Sequence, residues 1–484
     1  MKNYLNLFLL TGALFFSACN KFLDIVPKTQ VPDVEQFSTE QGFKDALAGV
    51  YIIAKSSETY GKELSFSTIE HLISSWDVTA NTLPQQLTLF NYGHVDVINR
   101  FNTIFSVQYY TVAHLNSILQ NLESRRSVLI TPGLYEVVKA ECLALRAYIH
   151  FDLMRLYGPV PSDPTNGNKL AYVTLFNREI NQRISFEAFK ANIFADLEEA
   201  TNLIKPFDPL LTYSMADVRN PNGSGSSFKP TDNFLSYRNM RMNYYAMKAL
   251  DARAHLWYGD KNEAYVSAKE VVEAKNADGG LKFKLASGAD YTATNYVLTT
   301  EHILGLYAFD MGKTYTDNFG NANFKKGTAA TTITSQLYGN TGTDFRESSL
   351  WNLITLANGS RANVIRKYWV TTDNVTVTTD YKQIPLIRTS ELYLILAEAA
   401  PFAEGVNYLK TFRIARNIGA LTNPIDYPTL VQEVVKEYRK EFYGEGQSYY
   451  AYKRLNVPKQ QILFVPATAV VNYLLPMPTV ETTN

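Results

Sequence analysis

The sequence predicts a mostly α-helical fold, a stack of helix pairs with irregular loop insertions and one small β-hairpin. Three observations predict it. The stretch Ala140–Pro161, AECLALRAYIHFDLMRLYGPVP, carries two apolar stripes when its residues are set at about 100° apart. Residues 243–275 hold a helical pattern, a Gly259-Asp260 turn and a second helical pattern. Residues 278–345 break the periodicity with Gly, Asn, Thr and Tyr, and are too long for a connecting loop and too aromatic for disorder.

The chain opens MKNYLNLFLLTGALFFSAC. Lys2 is a short basic start, and Leu5 to Phe16 is an apolar run too short to span a bilayer easily. Ser17 and Ala18 precede Cys19 as in a bacterial lipobox, with Phe16 departing from the usual aliphatic residue. The expectation is a lipoprotein signal peptide over 1–18, cleavage before Cys19 and acylation there. An ordinary signal peptide or a buried N-terminal helix are the alternatives. Residues 19–38 read as an extended, lipidated tether, since Pro27 and Pro32 oppose helix. Residues 39–484 read as a single domain, with its helical scaffold over about 39–275 and 384–454 and its insertion over about 278–383.

Helical spacing appears at 39–56 through Phe43, Leu47 and Val50, and at 99–124 through Phe101, Phe105, Val112 and Leu119. Residues 57–96 between them are mixed and polar. In the central stretch, Ala140, Leu143, Ala144, Ala147, Phe151 and Met154 form one stripe and Cys142, Leu145, Ile149, Leu153 and Leu156 the other. Glu141, Tyr148, Asp152 and Arg155 divide them on one side, Lys139, Arg146 and His150 on the other. A surface helix buries one stripe, so a helix with two is wedged between neighbours. Its alanines admit a close partner, and Gly158, Pro159 and Pro161 end it, the glycine by taking positive φ.

Phe189, Ile193, Leu197 and Ala200 mark another helix over 185–204. Residues 214–233 are a loop by composition. Its Gly223–Ser227 run lacks the ending of a phosphate loop and the pattern of a nucleophile elbow. In 243–275, Gly259 closes one helix and Asp260 caps the next. A helix, turn and helix within about 34 residues is a tetratricopeptide-like unit, and a parallel arrangement recurs at 388–419. Such units cannot bury their faces alone, so they stack. Val364 to Tyr381 reads as a β-hairpin turning near Asp373-Asn374. The tail beyond Arg454 is expected to wrap the surface.

The 46 basic and 46 acidic residues cancel, leaving no overall field to draw nucleic acid. Six histidines, at 71, 94, 114, 150, 255 and 302, show neither H-E-x-x-H nor a pairing suited to zinc, so no metal or cofactor is called for. His150 and His255 read as packing residues. Glu198-Glu199 reads as a solvated face, and no motif demands the paired carboxylates of a glycosidase. With Cys19 acylated, Cys142 has no partner, and no disulfide framework is expected. The 32 Tyr, 27 Phe and 4 Trp exceed what a plain core requires, which points either to an amphipathic contact surface or to packing between loops.

Four stretches resemble the SusD/RagB family, with a lipobox and C-x-x-FLD-x-x-P start at Cys19. The central run resembles its AE-x-x-x-LRA-Y-x-x-x-x-L-x-x-x-YG-x-VP segment. QIPLIRTSELYLILAEA, 383–399, matches through Pro385, Arg388, Glu391 and Glu398, and RIARNIGA resembles its arginine-rich helix end. EYRKEFYGEGQSYYAYKR, 437–454, matches through Arg439, Glu441, Glu445, Gly446, Lys453 and Arg454, with Ala451 departing from the usual acid. These motif charges are expected to tie helix ends together.

The resemblance implies a right-handed stack of about four helix pairs in a lipoprotein of the outer membrane, facing the cell surface. It implies capture of an oligosaccharide and delivery to a SusC-like, TonB-dependent transporter, with no enzymatic activity. Capture of peptides, a helical adaptor binding only protein and a lipid-anchored glycosidase are the alternatives. It also places ligand aromatics in the regions corresponding to 57–96 and 278–345. The candidate ligand-binding residues, chosen by location, are Trp76, Asp77 and Asn81 in the first and Tyr291, Tyr296, Tyr307 and Tyr315 in the second.

Overall fold

The computed structural model describes residues 33–370, 381–419, 421 and 426–481. The signal peptide, Cys19 and the expected hairpin turn at Asp373-Asn374 lie outside them. The helices run α1 Glu40–Ala54, α2 Val95–Ser124, α3 Leu134–Tyr157, α4 Phe186–Ile204, α5 Tyr244–Trp257, α6 Lys261–Val272, α7 Thr389–Ala399, α8 Phe402–Ala415, α9 Tyr427–Glu441 and α10 Gln447–Arg454. Side chains that prefer N-caps begin many of them. Thr39 accepts from the Gly42 amide at α1, Ser185 from Ala188 at α4, Asn243 from Ala246 at α5 and Asp260 from Glu263 at α6. Gly259, at φ +83°, makes the turn between α5 and α6, where an L side chain would be strained.

The fold is mostly helical, and successive helices pack on one another: α1 on α2, α2 on α3, α3 on α4, α4 on α5, α5 on α6, α6 on α7 and α7 on both α8 and α9. α10 returns to pack on α3. α3 lies inside this layer. Every residue of it except Glu136 and Lys139 is buried, and Ala140, Ala144 and Ala147 are wholly inaccessible. Its polar lines survive burial because each member has a partner. Glu141 takes Arg238, Arg241 and the Tyr51 hydroxyl. Arg146 makes a two-bond pair with Asp196 at 2.6 and 2.7 Å. Asp152 accepts from Tyr60 and Arg155. The His150 ring stacks on Tyr172 and accepts the Val173 amide at 3.0 Å, and burial draws its pKa down to about 3, so it is a neutral packing residue.

Gly158 ends α3 for a different reason from the one expected. Its φ is −71°, an ordinary value, but a Cβ there would lie 2.2 Å from Met154 Sδ and 2.6 Å from the Met154 carbonyl oxygen. Space, not the sign of φ, requires the glycine. The end of the helix is then covered by Lys453, whose buried ammonium donates to the carbonyls of Leu156 and Gly158 at 2.7 and 2.8 Å.

The other motif charges also cross-tie elements. Arg388 donates to Glu301, Glu441 and Glu445 at 2.7 to 2.9 Å, and Arg416 reaches Glu301 and Glu441. Burial alone would raise the Glu441 pKa, but Arg416, Arg388 and Arg346 hold it well below the carboxylate range. Glu391 pairs with Arg253, and Glu398 with Arg454 through two bonds. The insertion is fastened through Glu301 to Arg388 and Arg416, and through Arg346 to Glu441 of α9, by buried charges.

The strands are few: β1 His302–Tyr307, β2 Trp351–Thr355, β3 Arg361–Ile365 and β4 Gln383–Arg388, besides a two-residue pairing of 170–171 with 183–184. β1 pairs antiparallel with β4. The described hairpin is β2–β3, Trp351 opposite Ile365 and Thr355 opposite Arg361. It corrects the expected hairpin start at Val364, which instead sits near the end of the second strand. The signal overlooked was Asn358-Gly359, a turn dipeptide with Gly359 at φ +80°. Ahead of α1, within the stretch expected to be tether, Asp33–Gln36 is a short helix. The tail wraps as expected: Asn472 O accepts from Tyr92, Leu475 O from Asn168, and Thr479 bonds Asn102.

Candidate functional site

A cleft of ≈ 400 Å³ opens where residues 57–96 meet the insertion. Two short helices shape one wall. Thr68–Leu72 starts at Ser67, and Leu83–Thr88 starts at Thr82, whose hydroxyl accepts the Gln85 amide, with a proline in its first turn. Arg100, in the second turn of α2, closes that side. The opposite wall is Asn318, Asn323 and Phe324 from the insertion.

The two walls are knitted together at Asp77. Its amide donates to the Lys325 carbonyl at 2.9 Å, its carboxylate accepts the Gly327 amide at 2.7 Å, and Lys326 Nζ lies 3.3 Å from the other oxygen. Lys326 also donates to Ser74 O. Burial draws its pKa down to about 8 against the pull of Asp77. Glu63 is ion-paired with Arg100 and accepts from the Thr68 hydroxyl at 2.6 Å. Asn318 and Asn323 spend their amide N–H groups on the carbonyls of Thr314 and Asp317. Among the described residues their amide oxygens take no partner, which leaves acceptors for ligand hydroxyls. His71 lies at the base, and burial together with Arg100, Lys326 and Lys62 draws its pKa to about 3, so the ring is neutral.

Of the seven ligand-binding candidates, only Asp77 lines this cleft. Trp76 is 1 % exposed and stands behind the wall. Its indole N–H donates to Phe66 O at 2.7 Å, and its ring packs on Phe319, Phe324 and Tyr443 at centroid distances of 5.8, 5.6 and 5.1 Å. It therefore offers no face for a ligand and is corrected to a core residue. Asn81 is exposed at φ +60°, bonded to Gln85 beside the cleft but outside its lining. Tyr291 is buried against Phe345, and Tyr296 against Trp369 and Arg366. Both are packing residues. Tyr315 is half-buried and stacks on Phe319, behind the cleft. Tyr307, 37 % exposed, ends β1 away from the cleft lining, near exposed Phe309. The lining residues missed were Lys62, Arg100, Asn318 and Asn323. Arg100 lies on the expected 99–124 helix but off its apolar positions, the others stand in no periodic pattern, and only their folded juxtaposition marks them.

Both carboxylates of the cleft have cationic partners and fix its walls. Among the described residues, no group of three or more His, Cys, Asp or Glu is placed to hold a metal, and no helix is long and apolar enough to cross a membrane. Glu199 is half-exposed and pairs with Lys139, as a solvated face does. What the cleft offers is binding chemistry: amide and hydroxyl groups around the edge of Phe324.

Two family models match the sequence. One, a SusD-like model described as starch-binding associating with outer membrane, matches residues 21–208, and the SusD family model matches 237–464. No curated protein matches. Solved structures share the fold. A SusD homolog from Bacteroides thetaiotaomicron VPI-5482 superposes with a TM-score of 0.70 at 16% identity, over 94% of this chain and 97% of its own. A SusD-like carbohydrate binding protein from Bacteroides vulgatus ATCC 8482 gives 0.62 at 17%, over 86% and 84%. A laminarin binding SusD-like protein gives 0.61 at 16%, over 92% and 98%. At these identities the likeness is one of fold.

Proposed function

This chain belongs to the SusD/RagB family, and from that premise we propose that it captures an oligosaccharide at the cell surface and delivers it to a SusC-like, TonB-dependent transporter in the outer membrane. The observation that carries the reading is the cleft at Asp77, where the two irregular regions of the chain meet and leave unpartnered amide oxygens beside hydroxyls of Ser67, Thr79 and Thr82. Sugars are recognised by such polar groups beside an apolar surface, here the half-buried Val78, Leu83 and Pro84 of the lining. The carbohydrate-binding and laminarin-binding proteins of the same fold support the ligand class. The protein acts as a binder and carries out no hydrolysis. Residues 1–18 are its signal peptide, Cys19 its lipid anchor, 19–38 its tether and 39–484 one binding domain.

A glycan array on the purified protein, run beside a reducing-sugar release assay, tests the reading. Binding without release is expected, weakened about tenfold or more by Asn323→Ala, a loss of about 1.4 kcal/mol. Binding of peptides alone, or release of sugar, refutes it. Cys19→Ala is expected to move the protein from the membrane fraction to the soluble one. Retention in the membrane refutes the anchor.

A further inference from the structure

The lining of the cleft holds two cations, Lys62 and Arg100, and two carboxylates, Glu63 and Asp77, but buried Lys326 behind the lining takes up Asp77 and leaves the pairing uneven. Lys62, Arg100 and Lys326 all bear on His71 at its base. The two carboxylates that line the cleft are already engaged, Glu63 with Arg100 and Asp77 with Lys326. Glu58, the next carboxylate beyond Arg100, is exposed and outside the lining, bonded within its own turn to Ser56 and Ser57. Lys62 is left over. Among the described residues its ammonium has neither a hydrogen bond nor an ion pair, and it lines the cleft 6.0 Å from the Phe324 ring centroid.

We propose that the ligand of this cleft is an acidic oligosaccharide, one bearing a uronate carboxylate or a sulfate ester, and that Lys62 determines that specificity. The inference rests on the capture reading above. A neutral sugar would cover the Lys62 ammonium, displacing its water without supplying a counter-charge. An anionic group at hydrogen-bond distance supplies one, and a charge-assisted bond in a partly enclosed cleft is about twice as strong as a neutral one. The negative groups that could neutralise Lys62 from within the lining are the two already committed.

The test uses the full chain and an array of uronate and sulfated oligosaccharides, each printed beside its carboxyl-reduced or desulfated form. Wild type is expected to bind at least one acidic member tenfold or more tighter than its neutral twin. Lys62→Gln should erase that difference, so that each acidic member binds no tighter than its neutral twin, and Lys62→Arg should keep it. The carboxyl-reduced and desulfated arms tell which anion is read. Neutral members binding as tightly as acidic ones, or an acidic preference that survives in Lys62→Gln, overturns the inference and leaves glycan capture standing. Silence across every carbohydrate overturns the capture reading itself.

Discussion

Trp76→Ala separates a core residue from a ligand platform, and its size can be worked from the structure. The side chain is 1 % exposed and touches three aromatic rings, so its truncation is of the Trp→Ala core class, about 3 to 5 kcal/mol. The Phe66 carbonyl loses the indole N–H that it accepts at 2.7 Å, which adds about 1 kcal/mol. A loss of about 4 to 6 kcal/mol is therefore expected, a large share of a typical domain's margin. Trp76→Phe keeps one ring and loses the hydrogen bond, so a loss of about 1.5 to 3 kcal/mol is expected. Urea denaturation followed by circular dichroism reads both losses, and titration calorimetry below the unfolding range reads binding. A Trp76→Ala protein as stable as wild type but unable to bind would refute the packing assignment and put the indole at the surface.

Three further outcomes follow from buried contacts. Arg388→Ala removes the cation shared by Glu301, Glu441 and Glu445, leaving the first two to Arg416 and the third to Lys367, and should cost about 3 kcal/mol or more; a denaturation midpoint within error of wild type would refute the network's role. Ala147→Phe forces a ring against wholly buried neighbours of α3 and should cost about 1 to 3 kcal/mol or more, read by thermal melting, with an unchanged melting temperature counting against the wedge. Lys326 has a folded pKa of about 8 against an ordinary 10.5, so between those values the unfolded chain holds a proton that the folded one has released. Its contribution to stability therefore rises with pH through that window and is at its most unfavourable below it. Going from pH 8 to 9.5, wild type should gain about 1.5 kcal/mol relative to Lys326→Met, and parallel pH profiles for the two proteins would contradict this.

Some of the site was legible in sequence. The two irregular regions that meet at the cleft, with Asp77 in the first, stand out by composition because neither carries the sustained apolar periodicity of a long packed helix. The aromatic candidates fared differently, since an aromatic side chain has the same sequence signature whether its ring faces solvent or core. Trp76, Tyr291 and Tyr296 all proved to be packing residues. The 32 tyrosines that hinted at a contact surface include many, such as Tyr148, Tyr157 and Tyr449, that the core has absorbed. Lys62, Arg100, Asn318 and Asn323 are polar residues in polar surroundings, and nothing local distinguishes them from any solvated surface.

The sequence by itself determined the helices, because helical periodicity and capping are local. The stripes of α3, the Gly259-Asp260 turn and the caps at Thr39, Ser185 and Asp260 depend on residues within a turn of one another. It also determined that α3 is buried on two sides, since two stripes cannot both face water. Only the tertiary structure decided how the buried charges of the motifs are matched. Arg388 meets Glu301 across 87 residues, and Lys453 covers the end of α3 from 297 residues away. It likewise decided which carboxylates of the cleft are engaged and which cation is left over, because charge pairing is fixed by distances between segments that no spacing along the chain encodes.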